Sequence, residues 1–243
     1  MHITQDKGRS RLEDRIGKGL TALMLYICIS PVCLAINVQT DPNVIPNSSI
    51  QNLGNQKYKI GPILIDKANK QFQVSGRILR LEPPLEFLAV AKDGQKGYES
   101  LLELEANAFE FNLACILIGL DSDKAKKPAG HFDPAPVEGQ EVKITLNWGD
   151  KGAQKSVNAG DIFLNDGNAA TSGNWVYIGS HFLQGFYQAD QFGTLIGFVH
   201  APESIIEHSL GIGLSNYGGV TVDAAKLPQK DATITLEVTY IEK

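Results

Sequence analysis

Alternating apolar and polar residues recur in short stretches over most of the chain. In residues 70–79, Phe72, Val74 and Ile78 fall on one side of an extended chain, and polar residues fall between them. Successive side chains of a strand point to opposite faces, so this pattern predicts a strand with one buried face. Similar patterns or short apolar runs predict further strands at 58–66, 85–91, 98–104, 141–148, 161–164, 174–180, 186–190, 194–200 and 232–242. Asp93-Gly94 predicts a hairpin turn between two of them.

One segment has the pattern of a buried helix instead. Asn107 is followed three residues later by Glu110, which is the spacing of a capping box, and the apolar run AFEFNLACILI comes next. Gly119 is a natural stop for this helix, which we expect at about 108–118. A second, short helix is predicted near 203–208, because a proline is favoured at the first position of a helix and one precedes this segment.

These elements predict an α+β fold. We expect a mostly antiparallel β-sheet domain with one buried central helix and one short second helix. The domain is expected at 57–243, after a flexible lead-in at 36–56 that is rich in proline and asparagine.

The amino terminus has the pattern of a secretory signal peptide at residues 1–35. Five basic residues are followed by the apolar run LTALMLYICIS, and Cys33 and Ala35 occupy the −3 and −1 positions of a cleavage site. The run is shorter than the about 20 residues that span a bilayer, so an uncleaved membrane anchor is the weaker alternative. This pattern predicts an exported protein, periplasmic or extracellular, without a membrane span once the signal is removed.

Charge and cysteine content exclude several classes of function. Residues 1–35 hold 5 of the 22 basic and 3 of the 27 acidic residues, so the remainder carries 17 basic and 24 acidic residues. An acidic chain without a basic run argues against nucleic acid as a partner. Cys115 is the single cysteine after the leader, which excludes an intramolecular disulfide and an iron–sulfur cluster. Its apolar neighbours favour an inert core thiol.

No cofactor or metal site is expected from the motifs. His131 and Asp133 lie in a long loop at 121–139, which is expected to be functional or mobile, but metal sites usually need three or four converging ligands. Gly211 and Gly213 begin a glycine-rich segment that lacks the third glycine and the strand–turn–helix context of a dinucleotide loop.

Two serines are candidates for nucleophilic catalysis. Ser180 is adjacent to His181, and Ser100 follows Lys96 by four residues. The G-x-S-x-G motif of hydrolases is absent, and adjacent residues of a strand point to opposite faces, which disfavours a Ser180–His181 pair. The same alternation predicts that Glu99 and Ser100 point to opposite sides, with Lys96 and Glu99 at the surface and Ser100 turned inward.

Aromatic residues suggest where a ligand could bind. Trp148, Trp175, Tyr177 and Tyr187 could line a groove, although aromatic residues on strands more often fill a core.

The order of these short motifs resembles the YdjY-domain family of exported bacterial proteins. The resemblance covers Leu85 to Val199 and comprises Lys-x-x-Glu-Ser, an apolar helix ending in LIGL, and NWVYIGSHF followed by GFYQAD and GTLIGFV. It implies export, one YdjY-like domain at 57–243 and no assigned biochemical role. The ferredoxin-type label of some members does not apply to a chain with a lone Cys115. The patch that it implies consists of Lys96, Glu99, Ser100, Gly179 and Ser180.

Together these features predict an exported, soluble binding module of the cell envelope whose partner is a small ligand or an envelope protein. The ligand-binding candidates are Lys96, Glu99, Trp175, Tyr177, Gly179 and Ser180. The alternative is an envelope hydrolase that uses Ser100 or Ser180 with His181 or Lys96. A third alternative, a structural interaction protein, predicts an exposed apolar patch instead of a pocket.

Overall fold

The computed structural model describes residues 50–150, 152–170 and 172–242. All of them belong to one compact unit, Thr40–Lys243. The predicted signal peptide at 1–35 and the predicted lead-in up to residue 49 lie outside the described residues.

The described residues form seventeen strands and two α-helices. The strands are β1 Ile50–Gly54, β2 Lys57–Ile60, β3 Ile63–Asp66, β4 Gln71–Ile78, β5 Phe87–Ala91, β6 Ser100–Leu104, β7 Gln140–Trp148, β8 Lys155–Asn158, β9 Phe163–Asn165, β10 Asn168–Ala169, β11 Trp175–Tyr177, β12 Phe182–Leu183, β13 Phe186–Tyr187, β14 Thr194–Gly197, β15 Ile206–His208, β16 Val220–Val222 and β17 Thr233–Tyr240. The helices are α1 Ala108–Leu117 and α2 Gln188–Phe192.

Eight strands close into a barrel-like sheet in the order β4-β17-β7-β11-β15-β14-β5-β6, and β6 pairs back to β4. Strands β1 to β3 extend this sheet beyond β4. Strand β8 pairs with the carboxyl-terminal part of β7. Two smaller sheets contain β10-β9-β16 and β12-β13. The predicted, mostly β architecture is therefore confirmed in outline, whereas its closure was not predicted.

The predicted alternation puts apolar rows into the core. Leu236 of β17 pairs with Val74 of β4 on one side and with Leu146 of β7 on the other, and each of the three is at most 1% exposed. Residues directly opposite each other on neighbouring strands point to the same face, so a period of two in each strand produces a continuous apolar surface across the sheet.

Helix α1 begins as the sequence predicted. The side chain of Asn107 accepts a hydrogen bond from the backbone N of Glu110 at 2.8 Å, and Glu110 Oε2 accepts one from the backbone N of Asn107 at 3.4 Å. These bonds satisfy two of the donors that every helix leaves unpaired at its start. Cys115 lies in the core, where burial raises the pKa of its thiol well above the usual value.

The prediction of a helix near 203–208 is wrong. Ile206–His208 is strand β15, which pairs antiparallel with β11 and parallel with β14. All three residues of β15 are buried, so the strand lacks a clear alternation and its sequence resembles that of a short buried helix. The short second helix is α2, which overlaps the strand predicted at 186–190 and is followed by Gly193, whose φ of 71° is the left-handed conformation of many helix ends.

The hairpin predicted at Asp93-Gly94 is also wrong. Strands β5 and β6 are parallel, and the chain returns between them through a 3₁₀ turn at Gln95–Glu99. Strand β6 starts at Ser100, so Glu99 belongs to the turn and not to the strand alternation.

Two further boundaries differ from the predictions. Strand β1 lies within the predicted lead-in, so ordered structure is present from Ile50. The single strand predicted at 58–66 is divided by a turn at Gly61-Pro62, and its halves β2 and β3 pair antiparallel.

Among the described residues, the helices are too short and insufficiently apolar to cross a membrane.

Candidate functional site

Lys96 and Glu99 form an ion pair in the turn before β6. Nζ of Lys96 lies 2.7 Å from Oε1 of Glu99, and the exposed fraction of the two side chains is 21% and 3%. The same Nζ is 5.8 Å from the ring centroid of Phe87. The prediction that both residues lie at the surface is therefore wrong for Glu99, because the turn directs its carboxylate inward.

The ion pair keeps Lys96 protonated. Burial alone lowers the pKa of Lys96, but the hydrogen bond to Glu99 and the charge of Glu99 raise it, and the net result lies above the usual value. A buried carboxylate is costly without a partner of opposite charge, so Lys96 compensates the burial of Glu99.

A second buried carboxylate, Glu86, lies next to this pair. The backbone N of Glu86 donates to the carbonyl O of Glu99 at 2.9 Å. Oε2 of Glu86 lies 3.2 Å from Nε2 of His131, and the Glu86 side chain is 3% exposed. The sequence did not indicate this partner of His131, because 45 positions separate the two residues and Glu86 sits in an apolar stretch.

We call Glu86, Lys96, Glu99 and His131 the charged cluster. The side chain of Tyr217 is 63% exposed, and desolvation followed by the negative charges of Glu99 and Glu86 raises its pKa. Lys96 compensates the charge of Glu99, whereas Oε2 of Glu86 is buried 3.2 Å from Nε2 of His131 without a hydrogen bond among the described residues.

The loop that carries His131 is held by hydrogen bonds. The side chain of Asp133 accepts from the backbone N of Ala129 at 2.7 Å and of Ala135 at 2.9 Å. These bonds lower the pKa of Asp133. The backbone N of Phe132 also donates to the carbonyl O of His200 at 3.0 Å. The long loop is thereby attached to the segment before β15.

The hydroxyl of Ser100 is engaged by the backbone. Ser100 is fully buried, and its Oγ donates to the carbonyl O of Lys96 at 2.7 Å. The Lys96 amine is bound to Glu99 instead, so the structure brings Ser100 and Lys96 together through the main chain of the lysine.

Ser180 also makes backbone contacts, in a turn formed with Gly179. The φ angles of Gly179 and Ser180 are 73° and 54°, a left-handed conformation in both. Oγ of Ser180 donates to the carbonyl O of Glu203 at 2.6 Å and accepts from the backbone N of Ala189 at 3.1 Å. Lys127, which sequence analysis did not select, donates to the carbonyl O of Ser180.

His181 is turned toward another backbone group. Its Nδ1 lies 3.0 Å from the carbonyl O of Pro202. This contact and the bond from Ser180 Oγ to Glu203 attach the turn to the 201–205 segment, and the bond from Ala189 attaches it to α2.

Tyr177 is a core residue. It is 1% exposed, and its hydroxyl donates to Oδ1 of Asn112 at 2.7 Å. Burial raises the pKa of Tyr177. Its ring also lies under Gly179, where a side chain would collide with it.

Trp175 differs from Tyr177, because it lines a cleft of about 250 Å³. Trp175 of β11 and His208 of β15 are directly opposite each other, and their ring centroids are 5.4 Å apart at 80°. The walls include Val142, Lys143, Asp161, Gly173, Trp175 and His208.

Two polar atoms of this cleft are unsatisfied. Trp175 is 4% exposed and His208 is 2% exposed. Among the described residues, Nε1 of Trp175 and Nδ1 of His208 have no hydrogen-bond partner. Buried polar side-chain atoms nearly always have such a partner, in the protein or in a bound molecule.

His208 is neutral near pH 7. Burial, and to a smaller extent the nearby His200, lower the pKa of His208 to about 4 although a hydrogen bond with the backbone of Gly211 raises it. Nε2 of His200 lies 2.9 Å from the carbonyl O of His208. Gly173, with φ 94°, leaves room for the His208 ring, since a side chain there would stand 2.5 Å from Cε1.

Sequence analysis missed His208 because its segment was predicted to be a helix. In the correct register, a histidine stands in line with Ile206 on the apolar face of β15. A polar side chain at such a position is the signal that could have found it.

The predicted site residues thus lie in three places. Lys96 and Glu99 are in the charged cluster, Trp175 is in the cleft, and Tyr177, Gly179 and Ser180 share one buried turn. Within the described part of the chain, no three His, Cys, Asp or Glu side chains converge in a way that could hold a metal ion.

Comparison with known proteins identifies a family. The family model for the YdjY domain matches residues 63–239, which is well over half of the chain. The chain therefore belongs to the YdjY-domain family, as the resemblance of its motifs indicated. No curated protein and no solved structure matches it significantly.

Proposed function

We propose that this protein is an exported binding module that holds a small ligand in the cleft between Trp175 and His208. The observation that carries the proposal is a concave cleft lined by Trp175 and His208, two residues that each have a buried nitrogen atom without a hydrogen-bond partner among the described residues. An unsatisfied buried polar group costs about 1–3 kcal/mol, and a ligand group that reached either nitrogen would remove that cost.

A small ligand fits this place better than a protein partner does. The cleft is a concave, half-open space of about 250 Å³ lined by both apolar and polar residues, and its volume lies just below the range of roughly 300–1,000 Å³ found for small-molecule sites. Export to the periplasm or the cell exterior is supported by the basic and apolar pattern of residues 1–35.

The first test is native mass spectrometry of the protein recovered from the compartment to which its own host exports it. We expect a mass that lacks residues 1–35 and carries one bound small molecule. A bare protein, with no ligand recovered on gentle extraction, would contradict a tightly held ligand. An uncleaved leader would contradict export by signal cleavage.

Substitution of Trp175 tests the place of binding. Trp175→Phe keeps an aromatic ring but removes the N–H donor, so we expect about tenfold weaker retention of the ligand. Trp148→Phe is the matched control, because Trp148 is the other tryptophan of the chain and does not line the cleft. Equal retention by both variants would place the ligand elsewhere.

Hydrolysis by Ser100 or Ser180 is the alternative, and the hydroxyl contacts favour a packing role for both. Loss of the two Ser180 bonds in Ser180→Ala should destabilise the protein by about 1–2 kcal/mol in urea unfolding, and ligand retention should stay unchanged. Ser100→Ala should likewise destabilise the protein and leave ligand retention unchanged. An ester or amide substrate whose turnover disappears in either variant, while the fold is intact, would support the hydrolase.

A further inference from the structure

We infer that this protein forms a two-fold dimer in which the β12–β13 hairpin of one copy packs on the outer face of α1 of a second copy, and the reverse. We call the exposed side chains of Ile116, Phe182, Leu183 and Phe186 the apolar surface. Their exposed fractions are 49%, 62%, 55% and 48%. This surface shares no residue with the Trp175–His208 cleft, so the inference is independent of the proposed function.

The β12–β13 hairpin is apolar on both faces. Phe182 is opposite Tyr187 and Leu183 is opposite Phe186, so the two pairs point to opposite sides of the hairpin. Tyr187 is buried, and its ring centroid is 5.0 Å from that of Phe109 in α1. Antiparallel strands with one face on the core commonly present polar residues on the other face. The face with Leu183 and Phe186 instead presents apolar side chains to the solvent.

The hairpin is held in one position by hydrogen bonds at its base. Its loop is Gln184-Gly185, whose φ angles of 52° and 84° fit the two-residue turn that suits a hairpin best. The backbone N of Gln188 donates to the carbonyl O of His181 at 2.9 Å, and the hydroxyl of Tyr187 donates to a main-chain carbonyl at 3.2 Å. A preorganised surface loses little conformational entropy when it binds.

The outer face of α1 is apolar as well. Phe109, Leu113 and Ile116 are spaced by four and three residues, so they share one side of the helix. The first two are half-buried and Ile116 is exposed, whereas the other side of α1 lies in the core. A helix that is apolar all round is normally covered on all sides. Because Phe109 contacts Tyr187, this face adjoins the hairpin.

A two-fold axis lets the two features cover each other. In a dimer of this symmetry, a residue that contacts a second residue of the partner is itself matched by the reverse contact. The hairpin of one copy can therefore pack on α1 of the other copy while its own α1 receives the partner's hairpin.

The charges favour an identical partner. The chain has a net charge of −5, so two copies repel each other over most of their surfaces. Residues 176–189 contain no Asp, Glu, Lys or Arg, and the single such residue of α1 is Glu110, which is 9% exposed. A charged residue near a two-fold axis would face its own copy, and such like-charge contacts are unfavourable. A face without charge is compatible with itself.

The exposed area is close to what a dimer requires. An aromatic side chain contributes about 150–250 Å² when it is covered, so the exposed parts of the apolar surface amount to about 400 Å² per copy. A standard interface buries about 800 Å² per partner, of which about two thirds is apolar in homodimers. The apolar surface therefore supplies most of the apolar area, and exposed polar residues such as Gln184 would form the rim.

Sedimentation equilibrium of the protein recovered after export tests the dimer, at about 1 to 200 µM. We expect a monomer–dimer equilibrium with a dissociation constant on the order of 10 µM, because the apolar area is moderate. Leu183→Ser should weaken the dimer by about tenfold or more, since each dimer contains the contact twice. Leu53→Ser is the matched control, because Leu53 of β1 is also 55% exposed but does not belong to the apolar surface.

Opposite charges test the reciprocal geometry. Leu183→Lys and Ile116→Glu should each weaken the dimer, because a charge is then buried against apolar side chains. In a mixture of the two variants, the introduced lysine meets the introduced glutamate in one contact and the other contact is native, so we expect heterodimers. A mixture that stays monomeric would overturn the packing of the hairpin on α1.

The remaining outcomes concern the occupant of the apolar surface. A wild-type protein that is monomeric at the highest concentration would overturn the inference, as would equal dimerisation of Leu183→Ser and Leu53→Ser. Flotation with phosphatidylcholine vesicles tests lipid as the occupant: a monomer that floats, and no longer floats as Leu183→Ser, would assign the surface to a membrane and overturn the second copy. Urea unfolding should match the wild type for each variant, since the substituted side chains are about half exposed.

Discussion

Replacement of Lys96 by methionine is expected to destabilise the protein by about 2–4 kcal/mol near pH 7. The change keeps the length of the side chain but leaves the carboxylate of Glu99, 3% exposed, without its cation. Breaking a buried ion pair from one side typically costs 3–5 kcal/mol, and the 21% exposure of Lys96 moderates that value. Urea unfolding that is followed by circular dichroism measures the effect.

Lys92→Met is the matched control for this experiment. Nζ of Lys92 lies 2.7 Å from Oε2 of Glu105, so the distance equals that of the Lys96–Glu99 pair, but both side chains are about half exposed. Exposed ion pairs contribute little to stability, so the control should unfold close to the wild type. Equal effects of the two substitutions would show that the Lys96–Glu99 pair is not a buried pair in solution.

The double variant Lys96→Met/Glu99→Gln separates charge from packing. Removing the carboxylate charge together with its partner should restore much of the stability that Lys96→Met loses. No recovery in the double variant would assign the defect to lost packing of Lys96 on Phe87.

The stability of this protein is expected to fall between pH 6.5 and pH 8 because of Glu207. Glu207 is fully buried beneath the segment that connects β14 to β15, and its Oε1 accepts from the backbone N of Ala201 at 3.0 Å. Burial raises the pKa of Glu207 from 4.5 to about 8, and the charge of Glu203 adds to this, while bonds from Ala201 and Ser204 oppose it.

The direction of the effect follows from proton binding. Between pH 4.5 and 8 the folded protein holds a proton on Glu207 that the unfolded chain has released, so stability declines as the pH rises. Such a pKa shift corresponds to roughly 4 kcal/mol by pH 8, of which about 1–2 kcal/mol is lost above pH 6.5.

The titration of His208 has the opposite effect on stability, at lower pH. Its pKa in the folded protein is lowered from 6.5 to about 4, so the unfolded chain binds the proton more tightly and stability declines as the pH falls through this range. Between pH 4.5 and 6.5 the two effects oppose each other. The window above pH 6.5 therefore isolates Glu207 from His208.

Glu207→Gln is the variant that tests this. Glutamine retains an oxygen that accepts from Ala201 but does not ionise, so its stability should change little between pH 6.5 and 8 relative to the wild type. The measurement is urea unfolding at several pH values. A parallel decline in both proteins would exclude Glu207 as the titrating group.

The sequence alone was sufficient for the features that arise from neighbouring residues. The capping box at Asn107 and Glu110 is a contact within one turn of helix, so its two residue types at that spacing determine it. The alternation in β4, β7 and β17 likewise predicts which side chains are buried, because the period of two belongs to each strand separately. The exclusion of an iron–sulfur cluster follows from a count of cysteines alone.

Features that depend on pairing between distant segments could not be predicted from the sequence alone. Whether 206–208 forms a helix or a strand is decided by its pairing with β11 and β14, which offers hydrogen bonds on both edges. The closure of the sheet through β4 and β6 is a similar long-range contact. Local propensity is weak compared with such pairing, so it determines the result only where no tertiary partner competes.

The features of the candidate site also separate into those predicted from the sequence and those that depend on the tertiary structure. The sequence by itself selected Lys96, Glu99 and Trp175 as candidates and showed the resemblance of the chain to the YdjY-domain family. The tertiary structure decided that Glu99 is buried against Lys96 and that Trp175 faces His208 across a cleft. The reason is physical: a polar atom becomes unsatisfied only when packing removes water from it, and packing joins residues that are 33 positions apart in this chain.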